Sequence, residues 1–175
     1  MGDAIRSVLL DPNSVMSPVT ETFLYAAARA EHVKRIILPA LESGKIVVCD
    51  RFVDASIAYQ GYGMASADMT PEVVREINAH ALQGVSPDLT MIVDVPEEVA
   101  EQRLMERSVH SGKDRIEQRG SQFFQRVRAG LRHIYEQEQH RMKWIDATES
   151  PEVVEQTIWR LVSQLINGVE GSPCN

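Results

Sequence analysis

Apolar residues recur along this chain in two rhythms, one helical and one strand-like, and their alternation lays out an α/β order. Ile5, Val8, Leu9 and Leu10 repeat at helical spacing, and Asp11-Pro12-Asn13 closes that short helix. Ser17-Pro18 marks a second start, with proline at the first helical position. Phe23, Leu24, Ala27, Ala28 and Val33 carry this helix towards Leu41, and Pro39 is expected to bend or break it before Gly44. Residues 45–50 read as a strand, β-branched at Ile46, Val47 and Val48, followed by a polar connection that turns helical around Ser56. Thr70-Pro71 opens a helix through Val73, Val74, Ile77 and Leu82 that ends near Gly84.

The run from Leu89 to Val95 is almost continuously apolar, which predicts a strand buried on both faces and hence a parallel sheet. Pro96-Glu97-Glu98 starts a helix through Val99, Leu104 and Met105; residues 108–120, polar and with two glycines, read as a loop. A long helix from Ser121 to about Arg141 and a strand from Met142 to Ala147 follow. Ser150-Pro151-Glu152 begins the last helix, through Val153, Val154, Ile158, Leu161 and Leu165, with a flexible tail over 168–175. Such alternation predicts a doubly wound α/β layer. Only three strands can be counted, where roughly five or six are usual.

A chain of 175 residues, 43% hydrophobic, has enough apolar material for one ordinary core, predicted over residues 1–167. Its net charge of -7 and pI near 5.2 argue against nucleic-acid polymers and membrane surfaces as partners. Eight of the 18 Lys and Arg residues nevertheless fall between Arg103 and Arg132. That suits a small polyanion, although acids at Glu101, Glu106, Asp114 and Glu117 also fit a solvated face of alternating charge. Two cysteines, Cys49 and Cys174, with no disulfide pattern, suit a reducing cytosol.

The chemistry concentrates at the end of the 45–50 strand. Ligands of open α/β sheets bind outside the carboxyl ends of strands, which is where Asp50 and Arg51 stand. A guanidinium there suits a phosphate, which its planar fork meets with two parallel hydrogen bonds. Ser56, Tyr59 and Gln60 have i, i+3, i+4 spacing and converge on one side of a helix, as do Tyr25 and Arg29. Taken singly, Tyr25 is more often a core aromatic, Arg29 an ion-pair partner of Glu21 or Glu31, and Arg115 by default a local pair with Asp114 or Glu117. No Gly-x-x-x-x-Gly-Lys-Ser/Thr occurs, and the five histidines share no metal-ligand spacing.

Several segments in order give these residues a common meaning. They are Ala-Ala-Ala-Arg-Ala-Glu-His (26–32), Asp-Arg-Phe (50–52) with Ser-Ile-Ala-Tyr-Gln-Gly (56–61), Pro-Asp-Leu-Thr (87–90), and Asp-Arg-Ile-Glu (114–117) before Phe-Phe-Gln-Arg-Val-Arg-Ala-Gly (123–130). The chain resembles the bacterial thymidylate kinases from about Asp3 to Ile166. That resemblance implies a P-loop nucleoside monophosphate kinase-like α/β fold, a three-layer parallel sheet incomplete at its N-terminal side. It implies phosphoryl transfer from ATP to dTMP, giving dTDP and ADP for dTTP synthesis, with Mg2+, as a cytoplasmic homodimer. Arg29 is then expected to hydrogen-bond the thymine ring and Tyr25 to stack on it. Asp50 and Arg51 would hold the acceptor phosphate and, at Asp50, a magnesium-linked water. Ser56, Tyr59 and Gln60 would line the nucleoside pocket, with Tyr59 near the sugar. Arg107, Lys113 and Arg115 fall in a lid at about 107–120 that lends cations to the transferring group, an effect of roughly 10³ in rate by analogy with arginine fingers.

The family places a strand, a Gly-Lys-Ser/Thr loop, a helix, a second strand and a Glu-Pro-Gly-Gly segment ahead of the residues matched here. Gly44-Lys45-Ile46 and Gly112-Lys113-Asp114 lack the upstream glycine and the hydroxyl residue, and Leu131 stands where a tyrosine is common. A truncated or differently started kinase, a split enzyme needing a partner chain, and a non-catalytic binding homologue all fit this pattern, the first best. The expected structural consequence is unpaired edges on the strands at 45–50 and 89–95, and an isolated chain that folds poorly or keeps a cleft where the missing strand belongs.

Overall fold

In the computed structural model, residues 2–170 are described, so Met1 and residues 171–175, including Cys174 and most of the expected tail, lie outside them. Contacts gather these residues into two units, one comprising residues up to 86 with 111–134 and the other 87–110 with those from 135 onward.

The first unit is helical. Helix α1 (Gly2–Leu10) packs on α2 (Pro18–His32), which in turn packs on α5 (Pro71–Leu82). Ser17 caps α2 by accepting from Thr20 N at 3.1 Å, and Thr70 caps α5 by accepting from Val73 N at 3.4 Å. Both caps precede a proline at the first turn, whose missing N–H costs nothing there. Pro39 does not break the long helix. A π-helical stretch, Val33–Ile37, comes just before it, and Leu38 N–H reaches back to Val33 O. This widened turn lets α3 (Leu38–Glu42) continue with proline in its own first turn. A short α4 (Val53–Ser56) starts three residues ahead of the expected boundary and runs into a second π-helical stretch, Ile57–Gly63.

Residues 45–50 form no strand, contrary to the sequence expectation. A strand exists by virtue of a partner ladder, and among the described residues none pairs with this run; Ile46 is 68% and Val48 92% exposed. The sheet therefore has two strands, β1 (Thr90–Asp94) and β2 (Met142–Asp146), both in the second unit. They pair in parallel, in register from Thr90 opposite Met142 to Asp94 opposite Asp146. Double-sided burial also fails: Ile92 is 8% exposed but Val93 is 52% exposed, so β1 is covered on one face only. Around these strands lie α6 (Glu97–Ser111), the end of α7 (Ser121–Gln137) and α8 (Pro151–Glu170). Helix α6 takes the first residues of the expected loop, and Glu117–Arg119 form a 3-10 turn. No helix among the described residues is long and apolar enough to cross a membrane.

Candidate functional site

The site is built on one stripe of α2. Glu21, Tyr25 and Arg29 follow at intervals of four residues and so share a helix face. Opposite them, Ser56 and Gln60 project from the α4 segment and its π-helical continuation. Arg29 Nη2 donates to Ser56 Oγ at 2.7 Å and to the Phe52 carbonyl at 3.1 Å. Gln60 Nε2 donates to Glu21 Oε1 at 3.0 Å. Two polar rungs, 29 to 56 and 21 to 60, thus bind the two elements, with Tyr25 between them along α2.

Arg29 is held from a third direction by Asn78 on α5, whose Oδ1 accepts from Nη1. The Asn78 amide has no freedom to turn, because its Nδ2 donates to Val74 O at 2.8 Å. The Arg29 guanidinium also lies over the Phe52 ring, 5.6 Å from its centroid. Burial pulls its pKa down to about 10, so it stays a cation at neutral pH. Burial, and then the charge of Glu21, push the Tyr25 phenol above its ordinary value, which keeps that ring neutral. A neutral aromatic beside a fixed cation offers one surface for stacking and one donor for a carbonyl oxygen.

The acid–arginine turn adjoins this clamp. Arg51 has φ of 68°, in the left-handed region that a side chain rarely occupies. A residue held there costs on the order of 1–3 kcal/mol, and such strain gathers at functional turns. Its guanidinium lies over the Tyr59 ring at 5.0 Å, and the Cys49 thiol donates to its carbonyl at 3.3 Å. Tyr59 in turn meets Phe123 and Phe124 edge-on, at 5.9 and 6.4 Å between ring centroids. Asp50 and Arg51 are both exposed.

Arg115 completes the group in an unexpected way. The neighbouring acids Asp114 and Glu117 form a capping box. Asp114 Oδ1 accepts from Ile116 N and Glu117 N, both at 2.8 Å, while Glu117 Oε2 accepts from Asp114 N at 3.1 Å. Arg115 instead donates from Nε to the Leu9 carbonyl at 2.7 Å and places Nη2 2.5 Å from Glu21 Oε2. Arg119 Nη2 donates to the same oxygen at 2.5 Å and lies over the Phe123 ring at 4.9 Å.

The structure therefore brings Tyr25, Arg29, Arg51, Ser56, Tyr59, Gln60 and Arg115 into one linked set within the first unit. Lys113 belongs to that unit but is exposed, and Arg107 is carried by α6 in the other. Sequence reasoning missed Glu21, Asn78, Phe52 and Arg119. Glu21 was within reach, since the same four-residue interval that joined Tyr25 to Arg29 leads back to it. Asn78 and Arg119 carry no local signal; each acts across a long sequence separation.

Compared with solved proteins, the chain is similar to a crystal structure of thymidylate kinase from Ehrlichia chaffeensis. The TM-score is 0.69 at 27% identity, covering 92% of this chain and 72% of that one. Parallel strands, helices and an acid–arginine turn beside a helix-borne clamp thus have the fold of the P-loop nucleoside monophosphate kinases. The family model for thymidylate kinase matches residues 1–158. A thymidylate kinase of Exiguobacterium sibiricum is 47% identical over 153 residues, 87% of this chain and 69% of the relative. One from Symbiobacterium thermophilum is 42% identical over 167 residues, 95% of this chain and 75% of the relative. The chain belongs to the thymidylate kinase family.

Proposed function

We propose that this chain recognises dTMP as phosphoryl acceptor in the ATP-dependent reaction that yields dTDP and ADP in the cytoplasm. The carrying observation is the pair of rungs that sets Arg29 and Tyr25 on one face of α2 against Ser56. Arg29 supplies a charged donor for a thymine carbonyl, Tyr25 a face for the ring, and Tyr59 with Gln60 the wall beside the sugar. Arg51 meets the 5′-phosphate, its exposed guanidinium lying over the Tyr59 ring. Arg107, Lys113 and Arg115 serve the transferring group as the lid at 107–120 of a single kinase domain over 1–167.

Mg2+ commonly keeps several waters and binds through one or two carboxylates together with substrate phosphates. One exposed carboxylate, Asp50, fits that demand and would hold the ion through water. The ion supplies charge neutralisation between the phosphates. Because no Gly-x-x-x-x-Gly-Lys-Ser/Thr is present among these 175 residues, they are expected by themselves to bind the acceptor without transferring to it.

A second reading, a split or non-catalytic homologue that needs a partner chain, draws on the exposed β-branched run at Ile46 and Val48. Calorimetry separates the readings. dTMP binding without ATP binding by this chain supports the acceptor assignment; restored turnover on adding a chain that carries the triphosphate loop supports the split one. Arg51→Ala is expected to remove the preference for dTMP over thymidine, a loss of about 10- to 100-fold for a charge-assisted contact. Lys113→Ala is expected to leave dTMP affinity unchanged and to lower only the turnover restored by a chain that carries the triphosphate loop. Equal losses in both variants would undo these roles.

A homodimer is proposed through the α2–α5 face, where Phe23, Ala26, Ala27, Ala30, Ile77 and Ala81 line an apolar groove of about 520 Å3 and Phe23 is 55% exposed. Equilibrium sedimentation is expected to return twice the chain mass; a monomer at micromolar concentration would count against this face.

A further inference from the structure

Glu21 is 1% exposed, and its two oxygens serve different parts of the unit. Oε1 accepts from Gln60, on the helix that carries Ser56 and Tyr59. Oε2 faces the two guanidiniums of the segment 113–119. An ionised carboxylate has only acceptor sites and about four of them, so this division uses what no neutral side chain offers. A glutamine here would turn its NH2 either on Gln60 or on the arginines. With its own NH2 drawn to Glu21, the planar Gln60 amide has its carbonyl oxygen set on the opposite edge.

The charges do not balance within the trio. One carboxylate faces two guanidiniums, both partly withdrawn from water, with side chains 10% and 22% exposed. Arg115 Nη2 is buried and close to Glu21, yet it finds no hydrogen bond of good geometry. Arg115 is further fastened to the end of α1, through its side chain to Leu9 O and its backbone N–H to Leu10 O at 3.1 Å. Its guanidinium is thus held at a fixed place beside α2.

We infer that Glu21 is a positioning residue that ties the nucleoside-side clamp to the cationic segment 113–119 through one buried carboxylate. This rests on the acceptor reading above. Glu21 touches no substrate; it orients Gln60 with one oxygen and anchors Arg115 and Arg119 with the other. A nucleotide that settles against Gln60 thereby meets a lid base already docked at α2.

Calorimetric dTMP binding and hydrogen–deuterium exchange of peptides spanning 113–119, on the full chain, read the two sides separately. The near-isosteric Glu21→Gln variant is expected to weaken dTMP binding about tenfold and to speed exchange in 113–119 by at least about tenfold. Arg119→Gln is expected to speed that exchange while leaving dTMP affinity within about twofold, and Gln60→Ala to do the reverse. If Glu21→Gln lowers the melting temperature and raises exchange evenly along the chain, or moves neither readout, the inference is overturned. A parent chain that melts cooperatively but binds no dTMP overturns the acceptor reading instead. In that event the exchange of Glu21→Gln still decides whether this carboxylate holds 113–119.

Discussion

Arg29→Met is expected to weaken dTMP binding by about 10- to 100-fold, the value of one lost charge-assisted hydrogen bond of roughly 1.5–3 kcal/mol. The change also reaches stability. Arg29 donates to Asn78, Ser56 and Phe52 O, and Asn78 is 1% exposed with its Nδ2 already committed to Val74 O. Methionine leaves the Asn78 Oδ1 acceptor buried without a donor, a cost of about 1–3 kcal/mol. The alkaline behaviour should differ with a definite sign. Burial lowers the Arg29 pKa to about 10 in the folded chain, well below its ordinary value. Below pH 10 both states carry the proton, and the cost of burying the charge is present in full. As pH rises through about 10 the folded chain releases the proton before the unfolded chain does, so the Arg29 contribution becomes more favourable. The difference in urea-unfolding free energy, parent minus Arg29→Met, should therefore grow between pH 8 and pH 11. A difference that is flat or falls over that range would show the guanidinium to be solvated.

Gly61→Ala is expected to destabilise the chain by roughly 2–3 kcal/mol, as overpacking of a filled interior does, and to lower the melting temperature by about 4–12 °C. A Cβ at Gly61 would lie 2.8 Å from Pro71 Cα and 3.2 Å from Pro71 N, both backbone atoms with no rotamer to yield. Pro71 begins α5 under the Thr70 cap, so relief requires α5 to move. Helix α5 carries Asn78, which holds Arg29. Weaker dTMP binding should accordingly accompany the loss of stability. Gly168→Ala, with nothing within 4 Å of the added methyl, is the control and should not destabilise. Comparable melting curves for the two variants would refute the close approach.

Helix starts were readable in the chain because their causes are local. Ser17-Pro18 and Thr70-Pro71 state a cap and a first-turn proline within two residues, and both helices begin there. The parallel pairing of β1 and β2 agrees with the expectation drawn from the apolar run at 89–95, although the two-face burial behind that expectation does not hold. The strand at 45–50 was misread because a β-branched run states a preference, whereas a ladder needs a second chain segment. Pro39 leaves the helix unbroken because a π-helical turn ahead of it removes the clash that a regular helix would force.

The polar clamp between α2 and the 53–63 segment was half legible. Interval arithmetic on one helix groups Tyr25 with Arg29 and Ser56 with Gln60, since side-chain direction within a helix follows from its period. Which group faces which depends on how α2 lies against the Val53–Gly63 segment, and no spacing encodes that. The clearest case is Glu21. Its chain neighbours make it an ordinary first-turn acid of α2, stabilised there by the helix dipole. Packing alone withdraws it from water, and a buried carboxylate must be paired. That requirement, rather than any local pattern, selected Arg115 and Arg119 from among the many cations of the chain.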